Sequence, residues 1–446
     1  MSDPSSKLHA RTKIFFGLYI LFNSIATFLH IFTSSYFGYK ITETISAQTD
    51  DAWCTPALQG VGNHCFSDFY SVLRFVDSPH PWSTDPGTAQ PYPNPLPPFV
   101  TFILKPFAHF VHGHPSSSMG LFVFLSLMIA SALIPTLHAY RTKRVSGFVA
   151  ILMAAMTLNV APLLGGIDRG NVILLCVPLL YFFYIGVMES RFALTIVVSI
   201  LLVLLKPQML LLGFIFFANH QWKMGIKWLG STVLASFLAF ALFPHDVFRN
   251  ISDFWAQASQ YQSYVHQGDF FPINVSFSNT ISIFLSFVAR HQVSVSYVSL
   301  ISVVIALFAI VSLLMLGKYR GAFHNLLIVT CLPILVPGVT FNYYLVLLLV
   351  PLLFLAIDFA AGADPVQNGT RPLGGISTSP MRIFNSRLIG IFFAASYVFL
   401  LIPWGIPWGL IVKSLPESQA LFTGANWVIG EISLVILFVI LLFSTD

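Results

Sequence analysis

The tetrapeptide Ser67-Asp68-Phe69-Tyr70 sets a carboxylate among aromatic side chains. A carboxylate at a water–membrane boundary can take the proton of an attacking hydroxyl. Phe66, Phe69 and Tyr70 suit such a boundary and would hold the acid at one height. The same residues could also open a short surface helix with Ser67 or Asp68 as its cap. A second candidate, Lys206-Pro207-Gln208, interrupts a largely apolar run over 192–218. Lysine centred in such a run costs about 2.5–3.5 kcal/mol on insertion scales, and proline disfavours helix at the residue before it. The run is therefore expected to break into two short helices with Lys206 at the tip. There its ammonium, with Gln208 beside it, could hold an anionic phosphate; a snorkelling lysine at a turn is the alternative.

A third candidate is Gly165-Gly166-Ile167-Asp168-Arg169-Gly170-Asn171. A helix beginning near Asn171 would present free N–H groups and the positive end of its dipole to an anion, and Arg169 adds a planar fork that fits phosphate. A tight turn with a local Asp168–Arg169 pair is an equal reading. The fourth, Pro272–Asn279, gathers hydroxyls and amides suited to a sugar, with Asn274, Ser276 and Asn279 as contacts; Asn274-Val275-Ser276 also matches a glycosylation sequon. A polar helix start explains it as well. Tyr70, Tyr92, Asn171 and Asn342 complete the candidate substrate contacts. His245, His266 and Asp269 lack metal-ligand spacing, so no metal site is proposed, and a divalent cation is left open as an auxiliary.

The elements that must position these residues follow from composition. Of 446 residues, 56% are hydrophobic and 9% charged, against about 25% charged in a soluble domain. Such a chain needs the bilayer as its solvent. Its apolar stretches are long and do not alternate, so helices are expected and a barrel is not. The net charge of +5 sits in short loops beside apolar spans, which points to orientation and not to nucleic acid. The chain has no P-loop, no GxGxxG after a strand and no HExxH.

Lys7, Arg11 and Lys13 precede a first span over about 14–36, read as a retained helix leaving the cytoplasm. Residues 38–113 form a first extracytoplasmic loop with short juxtamembrane helices. Within it, 99–111 is too short to cross a core of about 30 Å. Leaving it outside puts Arg141, Lys143 and Arg144 in the cytoplasm. Further spans are expected at about 119–140, 145–163, 171–188, 191–205, 207–218, 225–243, 296–316, 323–340, 343–358, 388–411 and 424–443. Residues 244–292 make a second outer loop, and the Gly/Pro/Ser-rich 360–386 a cytoplasmic linker. The sum is a single all-α membrane domain, 1–446, of about 11–13 transmembrane helices. Cys176 and Cys331 fall in apolar spans. Cys54 and Cys65 share the first outer loop, either as a disulfide or as two thiols.

The order of these elements resembles a known group. It carries a first helix, Asp68 in Ser67–Tyr70, Tyr92-Pro93 before a Pro-rich stretch, a Gly/Asn turn before a span, and Lys206-Pro207-Gln208 ending a span. It is similar, over roughly 14–360, to the GT-C glycosyltransferases. The nearest resemblance is to polyprenol-phosphate-mannose-dependent α-1,2-mannosyltransferases and related arabinofuranosyltransferases, in the manner of glycosyltransferase family 87. The resemblance implies a GT-C-like helical bundle, Asp68 as general base, a lysine–proline element at Lys206-Pro207 and an asparagine–serine element at Asn274/Ser276. Thr340-Phe341-Asn342-Tyr343-Tyr344 stands where such mannosyltransferases often carry a histidine pair, which leaves the sugar open.

The expectation is an inverting glycosyltransferase of the plasma membrane, N-terminus cytoplasmic and active site outside. It would move a sugar, mannose before arabinose, from a polyprenyl-phosphate donor to a glycolipid or glycan acceptor. Its donor phosphate would lie near Lys206, Arg169 and Gln208. The competing readings are a transporter or flippase of a lipid-linked anion, with Lys206 as substrate site, and a non-catalytic membrane scaffold.

Overall fold

The computed structural model describes residues 4–36, 66–76, 78, 81–83, 94, 96–108, 117–244, 246–266, 274–289, 295–363, 386–402 and 425–444. Tyr92, Cys54, Cys65, His245, Asp269 and most of 360–386 lie outside them. The described chain is helical, with one isolated antiparallel bridge between Asn274 and Phe341. In order come α1 (Pro4–Tyr36), α2 (Ser67–Val76), α3 (Pro98–Ala108), α4 (Ser117–Arg141), α5 (Gly147–Leu158) and α6 (Ala161–Arg169). Then follow α7 (Cys176–Met188), α8 (Phe192–Leu205), α9 (Phe214–Ala218), α10 (Trp222–Ala241), α11 (Val247–His266) and α12 (Phe277–Ala289). The last are α13 (Val295–Leu316), α14 (Ala322–Leu335), α15 (Leu349–Ala363), α16 (Arg387–Leu401) and α17 (Ala425–Phe443). Segments of 3₁₀ helix at Val172–Leu175, Pro207–Gly213 and Asn342–Leu348 lead into α7, α9 and α15.

Phe122, Phe148, Ile226 and Leu300 stand exposed on their helices, as lipid-facing residues do in a bundle whose solvent is hydrocarbon. Among the described residues, four helices are long and apolar enough to cross a membrane: Met119–Arg141, Trp222–Ala241, Ser302–Tyr319 and Asn342–Ala361. A fifth is obtained if Gly147–Leu158 and Ala161–Arg169, bent by 56°, count as one. This is fewer uninterrupted spans than the apolar stretches suggested, because proline and 3₁₀ segments break several of them. Pro162 sits at the start of α6, and Pro207 opens the 3₁₀ segment after α8. The α3 helix has 11 residues, about 16 Å at 1.5 Å per residue, short of a bilayer core.

The stretch expected as a second outer loop holds two helices. α11 is too polar to span (its sequence includes Arg249, Asn250, Asp253, Gln257 and Gln260). It is stapled to the first loop: Asn94 N–H donates to Gln257 Oε1 at 3.0 Å, and Trp82, buried against Phe240, Phe243 and Phe254, donates Nε1–H to the Leu96 carbonyl at 2.9 Å. α12 packs against α13 and α17, so the chain re-enters the bundle earlier than position 296.

Helix direction gives the bundle two poles. α7 starts at Cys176, close enough to Lys206 for their charges to interact. It ends at Met188, next to Glu189, which pairs with Arg144 at 2.5 Å and Arg191 at 2.7 Å. α8 then returns from Arg191 to Lys206 over 14 residues, about 21 Å. One pole therefore carries Lys206, and the other the Arg144–Glu189–Arg191 cluster.

Candidate active site

The site pole is assembled from four places in the chain. α2 is short but amphipathic: Phe69, Leu73 and Val76 form its buried stripe at i, i+4 and i+7. The Phe69 ring packs on Phe124 with centroids 4.8 Å apart and meets Phe107 edge-on at 6.4 Å. This anchor sets the neighbouring Asp68 against the C-terminus of α6. There Gly170, at φ 63°, closes the helix in the left-handed conformation that glycine adopts without strain. A Cβ at Gly170 would lie 2.7 Å from the Phe69 Cβ, so a glycine is required both by the backbone and by the approach of α2.

Asp68 is not the helix cap. Its carboxylate takes Arg169 in a two-point grip, Nη2–H to Oδ1 at 2.6 Å and Nε–H to Oδ2 at 3.1 Å, and accepts Asn171 Nδ2–H at Oδ2, also 2.6 Å. Arg169 thus reaches across the chain to Asp68. Asn171 works in both directions, since its Oδ1 accepts Ile173 N–H at 2.9 Å and starts the 3₁₀ turn before α7. Burial raises the Asp68 pKa, but the Arg169 charge outweighs it together with the Arg169 and Asn171 hydrogen bonds and the charge of Lys206. The net effect holds the carboxyl below the usual carboxylate range. Of the pair, Asp68 is the more accessible, with 23% of its side chain exposed against 7% for Arg169.

The floor is aromatic. The Arg169 guanidinium lies 5.5 Å from the Phe341 ring centroid and 5.8 Å from that of Tyr343. Lys206 Nζ lies 5.3 Å from that of Tyr344. Such cation–π contacts are worth about 0.5–2 kcal/mol. α8 stops at Leu205, Lys206 takes extended backbone at φ −144° and ψ 103°, and Pro207 begins the 3₁₀ segment. The Lys206 side chain is buried, and among the described residues no acceptor takes a hydrogen bond from its ammonium. Gln208 hydrogen-bonds the Tyr344 side chain and so ties the lysine turn to the aromatic floor.

Asp68, Arg169, Asn171, Lys206 and Gln208 therefore converge; Tyr70 lies two residues along α2 from Asp68, and buried Asn342 lies between Phe341 and Tyr343 in the chain. Asn274, Ser276 and Asn279 are engaged with backbone groups. The Asn274 side chain donates to the Gly338 carbonyl at 3.1 Å and accepts from Ser276 and Thr340 N–H at 3.1 and 2.8 Å. Ser276 Oγ–H donates to the same Gly338 carbonyl at 3.1 Å, and Asn279 Nδ2–H donates to the Asn274 carbonyl at 2.5 Å. These groups fasten the start of α12 to the strand-like segment that carries Phe341. The sequence reading overlooked Phe341, Tyr343 and Tyr344 as a cation floor, although an aromatic run in an aliphatic stretch was a signal. Among the described residues no three His, Cys, Asp or Glu side chains gather as metal ligands do.

No curated protein and no solved structure matches the chain significantly. A family model, that of glycosyltransferase family 87, matches residues 96–362. The matched stretch holds Arg169, Asn171, Lys206 and the aromatic floor; Asp68 precedes it and is joined to it by the Arg169 and Asn171 contacts. With more than half its length inside that match, the chain belongs to glycosyltransferase family 87 and is a membrane glycosyltransferase.

Proposed function

We propose that the enzyme is an inverting transferase that takes a sugar, mannose before arabinose, from a polyprenyl-phosphate donor. The acceptor is a glycolipid or envelope glycan, and the site opens on the outer side of the plasma membrane. The observation that carries this reading is the pairing at one pole of a carboxylate, Asp68, with a buried ammonium, Lys206, that has no hydrogen-bond acceptor among the described residues. A donor phosphate supplies the missing acceptor, while the lipid tail stays in the bilayer.

The acceptor oxygen attacks the anomeric carbon as the bond from that carbon to the phosphate oxygen breaks. Polyprenyl phosphate departs with the bonding pair, and the hydroxyl proton passes to Asp68. Lys206 and Arg169 offset the charge growing on the leaving phosphate. Holding two membrane-bound reactants in register supplies the rest. In the resting site the arginine clamp makes Asp68 a weak proton acceptor. Donor phosphate arriving beside Lys206 competes for Arg169, loosens the clamp and strengthens the base only when substrate is present.

Asp68→Asn should lower transfer by about 10²–10⁴-fold in purified, folded protein supplied with polyprenyl-phosphate sugar. Near-normal turnover in that variant removes Asp68 as base. Lys206→Ala should raise the KM for donor more than that for acceptor; equal changes remove it from the phosphate site. Offering mannose and arabinose on the same carrier identifies the sugar.

A further inference from the structure

Away from the active site, a cleft of about 730 Å³ opens between α1, α5 and α15, within the range of about 300–1,000 Å³ usual for ligand sites. Its floor is buried and apolar, with Phe16, Tyr19 and Met153, and its rim includes exposed Ile20 and Leu152. At the end toward α6, Asn159 Nδ2–H bridges Asn23 Oδ1 at 2.5 Å and Thr27 Oγ1 at 2.8 Å, so those amides are already paired. The opposite end is different. Arg144 and Ser146 line it, and Ser146 caps α5, its Oγ accepting Val149 N–H at 3.4 Å. Arg144 gives Nη2 to Glu189, but its Nη1 is shielded from solvent and has no hydrogen-bond partner among the described residues. A shielded guanidinium nitrogen without an acceptor is costly.

We propose that this cleft binds an anionic phospholipid, its phosphate at Arg144 and the first turn of α5 and one acyl chain along Phe16, Tyr19 and Met153. The charge complements that occupant. Glu189 is already shared by Arg144 and Arg191, and exposed Lys13, Arg141 and Lys143 belong to the same end of the bundle, so a net positive end meets an apolar slot. The free N–H groups of a helix start add to the anion preference. The site is at the basic pole, some 20 Å along α7 from Lys206, and does not depend on the catalytic proposal.

The test uses the full-length enzyme in detergent with phosphatidylglycerol or phosphatidylcholine, and native mass spectrometry to count retained lipid. Wild type should retain one phosphatidylglycerol at least about tenfold better than phosphatidylcholine, the effect of one charge-assisted contact. Arg144→Gln should abolish that preference. Ala155→Trp, at an exposed position lining the cleft, should fill the slot and lower retention while leaving the fold intact. Inorganic phosphate should not displace the lipid. Equal retention of the two lipids, or unchanged retention in Ala155→Trp, overturns the proposal. So does one-for-one displacement by polyprenyl phosphate, which would make the cleft a path for the donor's tail.

Discussion

At the scale of residues, the arginine clamp decides how the acid behaves. A two-point guanidinium grip favours the charged carboxylate more than a single lysine contact would. Because the folded-state pKa of Asp68 lies below its ordinary value, its stabilising contribution is fully present above the unfolded value of about 3.9. It is lost as pH falls through the lower folded value. The stability gap between wild type and Asp68→Asn should thus stay constant from neutral pH to about pH 4 and narrow only below it, measured by thermal unfolding in detergent. A gap already closing near pH 6 would mean the carboxylate is not clamped. Catalysis carries the same signature. The ratio kcat/KM reports the free enzyme and kcat the substrate complex. If donor phosphate draws Arg169 away, the acid limb of kcat lies at higher pH than that of kcat/KM. In Arg169→Lys, which keeps charge but loses the fork, the kcat/KM limb should move upward, with activity down about 10–100-fold. Coincident limbs in both enzymes would leave the clamp static.

At the scale of elements, one glycine sets the distance between two helices. Gly170→Ala meets a left-handed backbone, costing about 1–2 kcal/mol, and a Cβ–Cβ approach of 2.7 Å to Phe69 that adds about 1–3 kcal/mol of overpacking. Shifting α2 relieves the contact but pulls Asp68 from Arg169, so both melting temperature and transfer rate should fall. Gly165→Ala is the control: it lies inside α6 with open space around the added Cβ and should be neutral or more stable by about 0.5–1 kcal/mol. Equal losses in both variants would assign the effect to glycine content rather than to the approach of α2. The contrast also marks what was legible beforehand. Lys206-Pro207 announced its own break, because proline acts on the preceding residue; Asp68 stood out as a carboxylate among aromatic residues, and Arg169 as a planar fork in a Gly/Asn turn. That they bind each other was not legible, since 101 residues separate them and only the Phe69 anchor and Gly170 bring them together. The backbone partners of the Asn274 cluster were not legible for the opposite reason. Amides and hydroxyls suit a sugar and a backbone carbonyl equally, and the Gly338 carbonyl that claims two of them is 64 residues away from Asn274.

At the scale of the whole molecule, charge and geometry give the same axis. α7 and α8 separate a pole with Asp68, Arg169 and Lys206 from one with Arg144, Glu189 and Arg191. Lys223 and Lys227 at the start of α10, and Lys318 and Arg320 between α13 and α14, belong with the second. That second pole is also where α17 ends. Arg320 Nε–H donates to the Ser444 carbonyl at 2.9 Å, its Nη2–H to that of Leu442, and His324 Nε2 lies 3.0 Å from that of Leu441, which satisfies carbonyls a helix end leaves open. Short loops rich in Lys and Arg stay in the cytoplasm, so the basic pole is expected inside and the acid outside. Single cysteines test this directly, because Cys176 and Cys331 are buried; Cys54 and Cys65 are first replaced by serine. Thr142→Cys, in the exposed turn after α4, and Asp246→Cys, before α11, sit at opposite poles. An impermeant maleimide applied to intact cells should label position 246 and reach position 142 only after permeabilisation. The reverse pattern would put the carboxylate in the cytoplasm, where a polyprenyl-linked sugar displayed outside cannot meet it. Labelling of both positions from one side would mean that α5 through α10 do not carry the chain across the bilayer, and the division into two poles would lose its link to the membrane.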